Sequence, residues 1–509
     1  EGITGGLVGV NYYLSEIINS YSEGDVSGVN QEGGIVGRNG GVIKNSYFNA
    51  DDVLINGEKV SVDIGALTDD LYTSWKSNNL SLNIDNYLDH EDGYYLLRNL
   101  SDIKYLFAFG QSNDYHFLLE DDIDLSEENN FYIPYFCGEF NGNNKKISNL
   151  TFDMPSMGIG FFGMLTEGAV VKSLGIENYN IHGKEMLGGL AGVSVNSEIE
   201  NCYSIGIIEG EQALGGLIGR TVATNVKGCY ASSEITGEKF IGGLIGVNQQ
   251  NGQVMNSYAM GEVNAQGYTG GLIGQLEGSI DKSYSNVHVN KLEGKESILI
   301  ESEGLYRNDC LEEFVTPGKK NIRDFTKDDD YIGGLVGNNY LSNSIITDSF
   351  WDTESSGQNT SDGGEGRTTA EMKDISTYIE ADWDFENKWA IDEEHNEGYP
   401  CLRWQLGVSI DDKPKYLITT LGSAYPNPFN PSTTIKYYIS DNSNIELNIY
   451  NLLGQKIKTL VNETKEKGEY SVVWNGRDDS NSSVASGIYF YQLKKNDSTI
   501  ETKKILLIK

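Results

Sequence analysis

The residues that could carry catalysis are few and scattered. Five histidines occur, His90, His116, His182, His288 and His395, and no two lie within four positions of each other. The paired histidines that a zinc peptidase presents on one helix face are therefore missing. His395 follows Asp392-Glu393-Glu394, which reads as a solvated acidic turn. The sequence holds no Gly-x-Ser-x-Gly elbow for a nucleophilic serine. Its five cysteines, Cys137, Cys202, Cys229, Cys310 and Cys401, show no metal-ligand spacing, and their odd number argues against a complete disulfide framework. With 74 acidic residues, close carboxylate pairs must arise by chance, so a pair alone does not mark glycoside chemistry. No catalytic, cofactor-binding or metal-binding residue is assigned, and the acidity leaves room only for diffuse Ca2+ binding.

The elements that would position any site are repeats. One phrase returns four times: Gly188-Gly189-Leu190-Ala191-Gly192, Gly215-Gly216-Leu217-Ile218-Gly219, Gly242-Gly243-Leu244-Ile245-Gly246 and Gly270-Gly271-Leu272-Ile273-Gly274. The leading glycines are 27, 27 and 28 residues apart. A second phrase follows each: Asn201-Cys202-Tyr203, Gly228-Cys229-Tyr230, Asn256-Ser257-Tyr258 and Lys282-Ser283-Tyr284. A fixed period of this length means stacked units, none able to bury its apolar face alone. Units without a helical pattern and with β-rich runs such as Glu234-Ile235-Thr236 predict coils of a parallel β-solenoid. The glycines would permit tight corners, by positive φ or by close backbone approach. Repetition, and the lack of a following helix, set aside a phosphate-binding loop.

Stacked coils place Tyr203, Tyr230, Tyr258 and Tyr284 in one column. In a regular strand the residue two earlier shares their face, and in the last coil that residue is Lys282, which is costly to bury. The tyrosines are thus expected outward or at a corner, with Cys202, Cys229, Ser257 and Ser283 inward; a corner bulge would reverse this. An exposed aromatic ladder is a candidate binding surface for a glycan or a cell-surface protein, set against a stack that only stiffens the rod.

The two phrases together resemble the GLUG motif of bacterial surface and secreted proteins. Further copies stand at Gly5-Gly6-Leu7-Val8-Gly9 with Asn19-Ser20-Tyr21, at Gly33-Gly34-Ile35-Val36-Gly37 with Asn45-Ser46-Tyr47, and at Gly333-Gly334-Leu335-Val336-Gly337 with Asp348-Ser349-Phe350. Gly160-Phe161-Phe162-Gly163 is a degenerate copy. The expected organisation is then as follows. Residues 1–50 hold the last coils of a first solenoid and 51–100 a capping segment. Residues 101–159 form the N-terminal cap of a second solenoid, with a helix from Ser101 as N-cap to Phe109. The second solenoid runs over 160–350 with an insertion at about 291–330, and 351–404 form its C-terminal cap. Because the chain opens directly on a repeat phrase, a longer precursor with any export signal upstream is expected. The motif speaks for architecture and says little of activity.

Residues 405–423 read as a linker, and from Ala424 the composition changes. Residues 424–509 carry 11 Lys+Arg and 9 Asp+Glu, net +2, against −36 for the chain, which leaves −38 for the rest. Alternating runs such as Ile445-Glu446-Leu447-Asn448-Ile449-Tyr450 predict a small β-sandwich. This tail resembles the type A sorting domain of the type IX secretion system, a FlgD-like Ig fold. The matching residues include Tyr425-Pro426-Asn427-Pro428-Phe429-Asn430-Pro431, Leu452-Leu453-Gly454-Gln455, Trp474-Asn475-Gly476 and Ser486-Gly487-Ile488. One departure is Asn481 in place of the family's usual glycine, a residue that also tolerates the left-handed conformation. The resemblance implies a Gram-negative cell and export across the outer membrane, with the type IX machinery as partner.

The fold class expected is all-β: a parallel solenoid of ~27-residue coils and a small Ig-like sandwich. The net charge of −36 disfavours nucleic acid and anionic membranes as partners, and no apolar run is long enough to span a bilayer. The function expected is that of a secreted or surface-attached structural or adhesive protein, not an enzyme. The alternative is a non-catalytic stalk of a larger exported enzyme, a peptidase or a polysaccharide-degrading one, with its active domain upstream. A catalytic solenoid would gather Lys, Arg and Asp where its repeat breaks; the clear coils stay regular and the insertion shows no such constellation.

Overall fold

A computed structural model describes residues 2–12, 15–29, 31–39, 41–59, 63–292, 331–340, 344–392, 395–406, 419–422, 424–439, 442–496 and 498–508. Cys310, most of the 291–330 insertion and most of the expected linker lie outside them. The chain divides into two units, Glu1–Trp383 and Asp384–Lys509.

The first unit is a parallel β-solenoid. One of its sheets stacks seven strands in chain order: Ile133–Phe136, Phe162–Leu165, Ala191–Val195, Ile218–Val222, Ile245–Gln249, Ile273–Leu276 and Val336–Asn339. A second sheet of 23 strands runs through the rest of the coils, and from His116 onward its pairs are parallel. The repeat phrases stay in register from coil to coil. Leu190, Leu217, Leu244 and Leu272 form one interior column with no exposed surface, each donating its N–H to the leucine carbonyl one coil on at 3.0 or 2.9 Å.

The double glycine is explained by close approach. A Cβ on Gly215 would lie 2.1 Å from the Ile218 carbonyl oxygen, and one on Gly216 would lie 2.4 Å from that of Gly243. Left-handed residues stand elsewhere, at three recurring places in the coil. They are Met186, Ala213, Phe240 and Tyr268 before the phrase, Asn196, Ala223 and Gln250 after its strand, and Asn201, Gly228, Asn256 and Lys282 before each tyrosine. A non-glycine residue costs roughly 1–2 kcal/mol in this conformation, a strain the stacked neighbours must hold in place.

The stack is longer than the phrases indicate. Phe117 pairs in parallel with Phe140 and that with Val171, so residues 116–153, expected as an N-terminal cap, are themselves solenoid strands. Large rings such as Phe136, Phe140 and Phe162 fill this end where the later coils use Leu and Ile. The expected helix is two short ones, Leu100–Lys104 and Leu106–Phe109, and the N-cap is Asn99, whose side chain accepts the Asp102 N–H, not Ser101. Two further coils over residues 3–49 pair in parallel, Gly5 with Gly33 and Tyr21 with Tyr47. The helix Asp69–Ser77 packs fully buried Trp75 edge-on to Tyr47. Beyond Phe350–Asp352 one more parallel strand, Glu365–Arg367, is followed by helices Thr369–Met372 and Ile375–Ile379.

The second unit starts at Asp384, earlier than the expected break near 405. An antiparallel hairpin, Trp389–Asp392 with His395–Leu402, belongs to it. The rest is a sandwich of two antiparallel sheets, three and four strands, around Trp474, Ile435, Ile449 and Leu493. Asn481 adopts a φ of 62°, the left-handed conformation that asparagine tolerates.

Candidate functional site

The tyrosine column exists. Tyr203, Tyr230, Tyr258 and Tyr284 are register partners, with ring centroids 5.1, 5.0 and 5.0 Å apart and planes within 4–6° of parallel. It does not face outward as a whole. Tyr203 and Tyr230 are half-buried, but Tyr258 is 1% exposed and Tyr284 fully buried. Trp383 packs 6.4 Å from the Tyr284 ring and 6.1 Å from Phe350, next in the column, closing that end. The other end is closed too, since Gly175 lies so near the Tyr203 ring that a Cβ there would be 2.4 Å from it.

This geometry corrects the proposed use of the ladder. A sugar stacks on the face of an aromatic ring, and here every face is covered by a neighbouring ring or by backbone. Only edges of Tyr203 and Tyr230 reach solvent, so the four rings cannot act as a stacking platform. The Tyr203 hydroxyl donates to Glu177 Oε1 at 2.6 Å, and burial together with that carboxylate pushes its phenol up.

The tyrosines follow a corner, one of the two placements expected, and alternation overstates their exposure because the chain turns there. Asn201, Gly228, Asn256 and Lys282 are left-handed, so a corner separates each from its tyrosine. The intervening Cys202, Cys229, Ser257 and Ser283 point inward with no exposed surface. Each has a defined task there. The corner N–H of one coil cannot reach a backbone acceptor and bonds the side chain in the same slot one coil on: Cys202 N to Cys229 Sγ at 3.4 Å, Cys229 N to Ser257 Oγ at 3.1 Å, Ser257 N to Ser283 Oγ at 3.1 Å and Ser283 N to Ser349 Oγ at 3.2 Å. Each side chain in turn donates to the carbonyl two residues before it, as Ser257 Oγ does to Met255 at 2.8 Å. Cys202 and Cys229 are free thiols, and burial and the Cys202 sulfur push the Cys229 thiol up.

Other groupings were not legible beforehand. Phe240, Tyr268 and Tyr331, each two residues before a double glycine, form a second, half-buried ladder at 5.1 Å spacing, with Phe240 and Tyr268 left-handed. On strands of the seven-stranded sheet, Arg220 Nε donates to Gln249 Oε1 at 2.9 Å, and Gln249 Nε2 donates to Glu277 Oε1 at 3.3 Å. Burial pushes the carboxyls of Glu277 and Glu185 up. A cavity of about 240 Å3 lies between Ala50, Leu67, Phe107 and Phe131, with the Lys104–Glu128 ion pair on its wall. Among the described residues no three His, Cys, Asp or Glu are grouped to hold a metal ion, and no helix is long and apolar enough to cross a membrane.

In the second unit, residues of the Tyr425–Pro431, Leu452–Gln455, Trp474–Gly476 and Ser486–Ile488 stretches converge on one end of the sandwich. Phe429 packs 5.3 Å from Trp474, and Trp474 packs 5.1 Å from Tyr489. Asn427 Oδ1 accepts the Leu506 N–H at 2.9 Å, and Phe429 bridges Leu507. Pro426 O accepts the Thr433 hydroxyl at 2.8 Å, and Gly454, with a φ of 74°, closes the hairpin after Asn451. Tyr425 is 81% exposed beside this cluster.

The chain is thus an all-β protein, a parallel solenoid carrying a C-terminal Ig-like domain. Residues 430–498 match the FlgD Ig-like domain, and residues 2–27 and 210–236 match the GLUG motif. A Gly-rich membrane protein of Evansella cellulosilytica is 34% identical over 98 residues, which are 18% of this chain and 11% of that one. Among solved structures, IgA1 protease is similar at 14% identity over 57% of this chain and 24% of that one, with a TM-score of 0.34. Dimeric latent PorU from Porphyromonas gingivalis is similar at 18% identity over 18% of this chain and 9% of that one, with a TM-score of 0.16. The chain therefore spans only a small part of each.

Proposed function

We propose that this chain is an exported, non-catalytic β-solenoid with a structural or adhesive role at the cell surface, and that its C-terminal Ig-like domain is the address read by a type IX secretion system. The observation that carries this reading is the change at the end of the chain. A regular acidic stack gives way to a separate antiparallel sandwich with its own core and a net charge of +2, on which the sorting-type motifs gather at one end. The solenoid is cargo: its apolar columns are spent on coil-to-coil packing, and its surface is acidic. A glycan or cell-surface protein ligand would meet polar outer columns rather than aromatic faces. A second reading is a non-catalytic stalk within a larger exported enzyme, since the repeats speak for architecture and not for activity.

The test is deletion of Ala424–Lys509 in a Gram-negative host with that machinery. The truncated protein should stay in the periplasm with the thermal unfolding of its coils nearly unchanged. Arrival at the surface would refute the address.

A further inference from the structure

The cavity of about 240 Å3 opens where three parts of the solenoid unit meet. Strand Ala66–Leu67 and the helix N-cap Thr68 come from the cap over the first coils. Lys104 and Phe107 come from the helix pair that follows, and Glu128 and Phe131 from the loop before strand Ile133–Phe136. Ala50 and Asp51 complete the lining. The volume is about eight waters' share of liquid and lies below the roughly 300 Å3 at which pockets for drug-sized molecules begin, so the molecule it takes is small.

The lining divides by chemistry. Ala50, Ala66, Leu67, Phe107 and Phe131 are buried and form an apolar wall, with the two phenyl rings 5.5 Å apart. Asp51, Thr68, Lys104 and Glu128 form a polar one, in which Lys104 Nζ donates to Glu128 Oε1 at 2.5 Å. Asp51 Oδ2 accepts the Asp69 N–H at 2.8 Å, which fixes that carboxylate. The neighbouring carboxylates of Asp52 and Asp69 are engaged by the Asn49 amide. The lining thus presents one ammonium and two carboxylates.

The C-terminal cap gives an internal comparison. There strand Glu365–Arg367 is also followed by an N-cap threonine, Thr368, whose side chain accepts the Glu371 N–H at 3.3 Å. Thr369 N–H donates to Glu354 Oε2 at 2.9 Å, as Asp69 N–H does to Asp51. The two caps share this plan, but Thr68 makes no capping bond and lines the cavity instead. A polar group that its helix could use is therefore turned to the site.

Charge decides the ligand class. A molecule with a single charge would break the Lys104–Glu128 pair and leave one partner uncompensated, which is costly beside an apolar wall. A molecule carrying an ammonium and a carboxylate on one carbon replaces that single contact by two, carboxylate to Lys104 and ammonium to Glu128 and Asp51. We propose that this cavity binds a small zwitterion with an apolar body, an α-amino acid whose side chain lies against Phe107 and Phe131. The site is independent of the export reading.

The test is isothermal titration calorimetry on the full chain with L-leucine, with leucinamide, which keeps only the ammonium, and with N-acetyl-leucine, which keeps only the carboxylate. Leucine should bind saturably in the millimolar range or below, and each single-charge analogue about tenfold more weakly or worse. Lys104→Met and Glu128→Gln should each weaken leucine about tenfold or more. Lys146→Met, which breaks the ion pair with Glu177 elsewhere on the solenoid, should leave it unchanged. If Lys104→Met melts below the wild type, Lys104→Arg, which keeps the charge, must retain leucine binding for the site to stand. No saturable leucine binding in the millimolar range, equal binding of leucinamide or of N-acetyl-leucine, or wild-type affinity in Lys104→Met would overturn the proposal.

Discussion

Ser257→Ala is the sharpest perturbation of the solenoid corner. Ser257 is fully buried, accepts the Cys229 N–H at 3.1 Å and donates to the Met255 carbonyl at 2.8 Å. Alanine keeps the backbone and strands one buried donor at the corner. An unsatisfied buried N–H costs about 1–3 kcal/mol, and the carbonyl's lost donor adds to the upper end of that range. Ser257→Cys should cost well under half as much, because Cys229 occupies the same slot one coil earlier and its sulfur makes the same two contacts. Chemical denaturation gives the stability ranking serine, cysteine, alanine, and amide hydrogen exchange should show the Cys229 N–H losing protection most in the alanine variant. Wild-type stability and unchanged Cys229 protection in Ser257→Ala would refute the reasoning that the second repeat phrase exists to satisfy the corner.

Tyr258→Ala removes a ring that is 1% exposed and stacked on both faces, so a loss of about 3–5 kcal/mol in thermal unfolding is expected; a near-neutral result would mean the ladder is peripheral. Cys202 and Cys229 should label with a thiol reagent only after unfolding, both without reductant; a Cys202–Cys229 bond in mass spectrometry would contradict the in-register slot. Glu277 has its carboxyl pushed up by burial, so it favours the folded state below the unfolded pKa of about 4.3 and loses that contribution as pH rises through the folded value. Glu277→Gln should therefore weaken the fall in melting temperature between acid and neutral pH, and an unchanged pH profile would count against it.

The interior of the stack was legible because its signal is periodic. The double glycine and following leucine recur at 27 or 28 residues, and each leucine takes one interior column. The orientation of the tyrosines was not, because alternation assumes a continuous strand and a left-handed Lys282 looks like any other lysine in sequence. The early coils also hid. Phe117, Phe140 and Val171 keep register without a single double glycine, since bulky rings fill the width that later coils close with backbone. The boundary at Asp384 had no compositional mark, whereas the sandwich did through its charge and alternation.

The central claim, that a structural solenoid is carried out by a separable C-terminal address, is tested most directly by moving the address. Residues 424–509, joined behind a signal peptide and an unrelated periplasmic protein, should carry that protein to the surface or the medium of a type IX-competent cell, and leave it in the periplasm of a strain whose type IX translocon is disabled. Retention of the fusion in the competent cell, or its export in the disabled strain, would contradict the account.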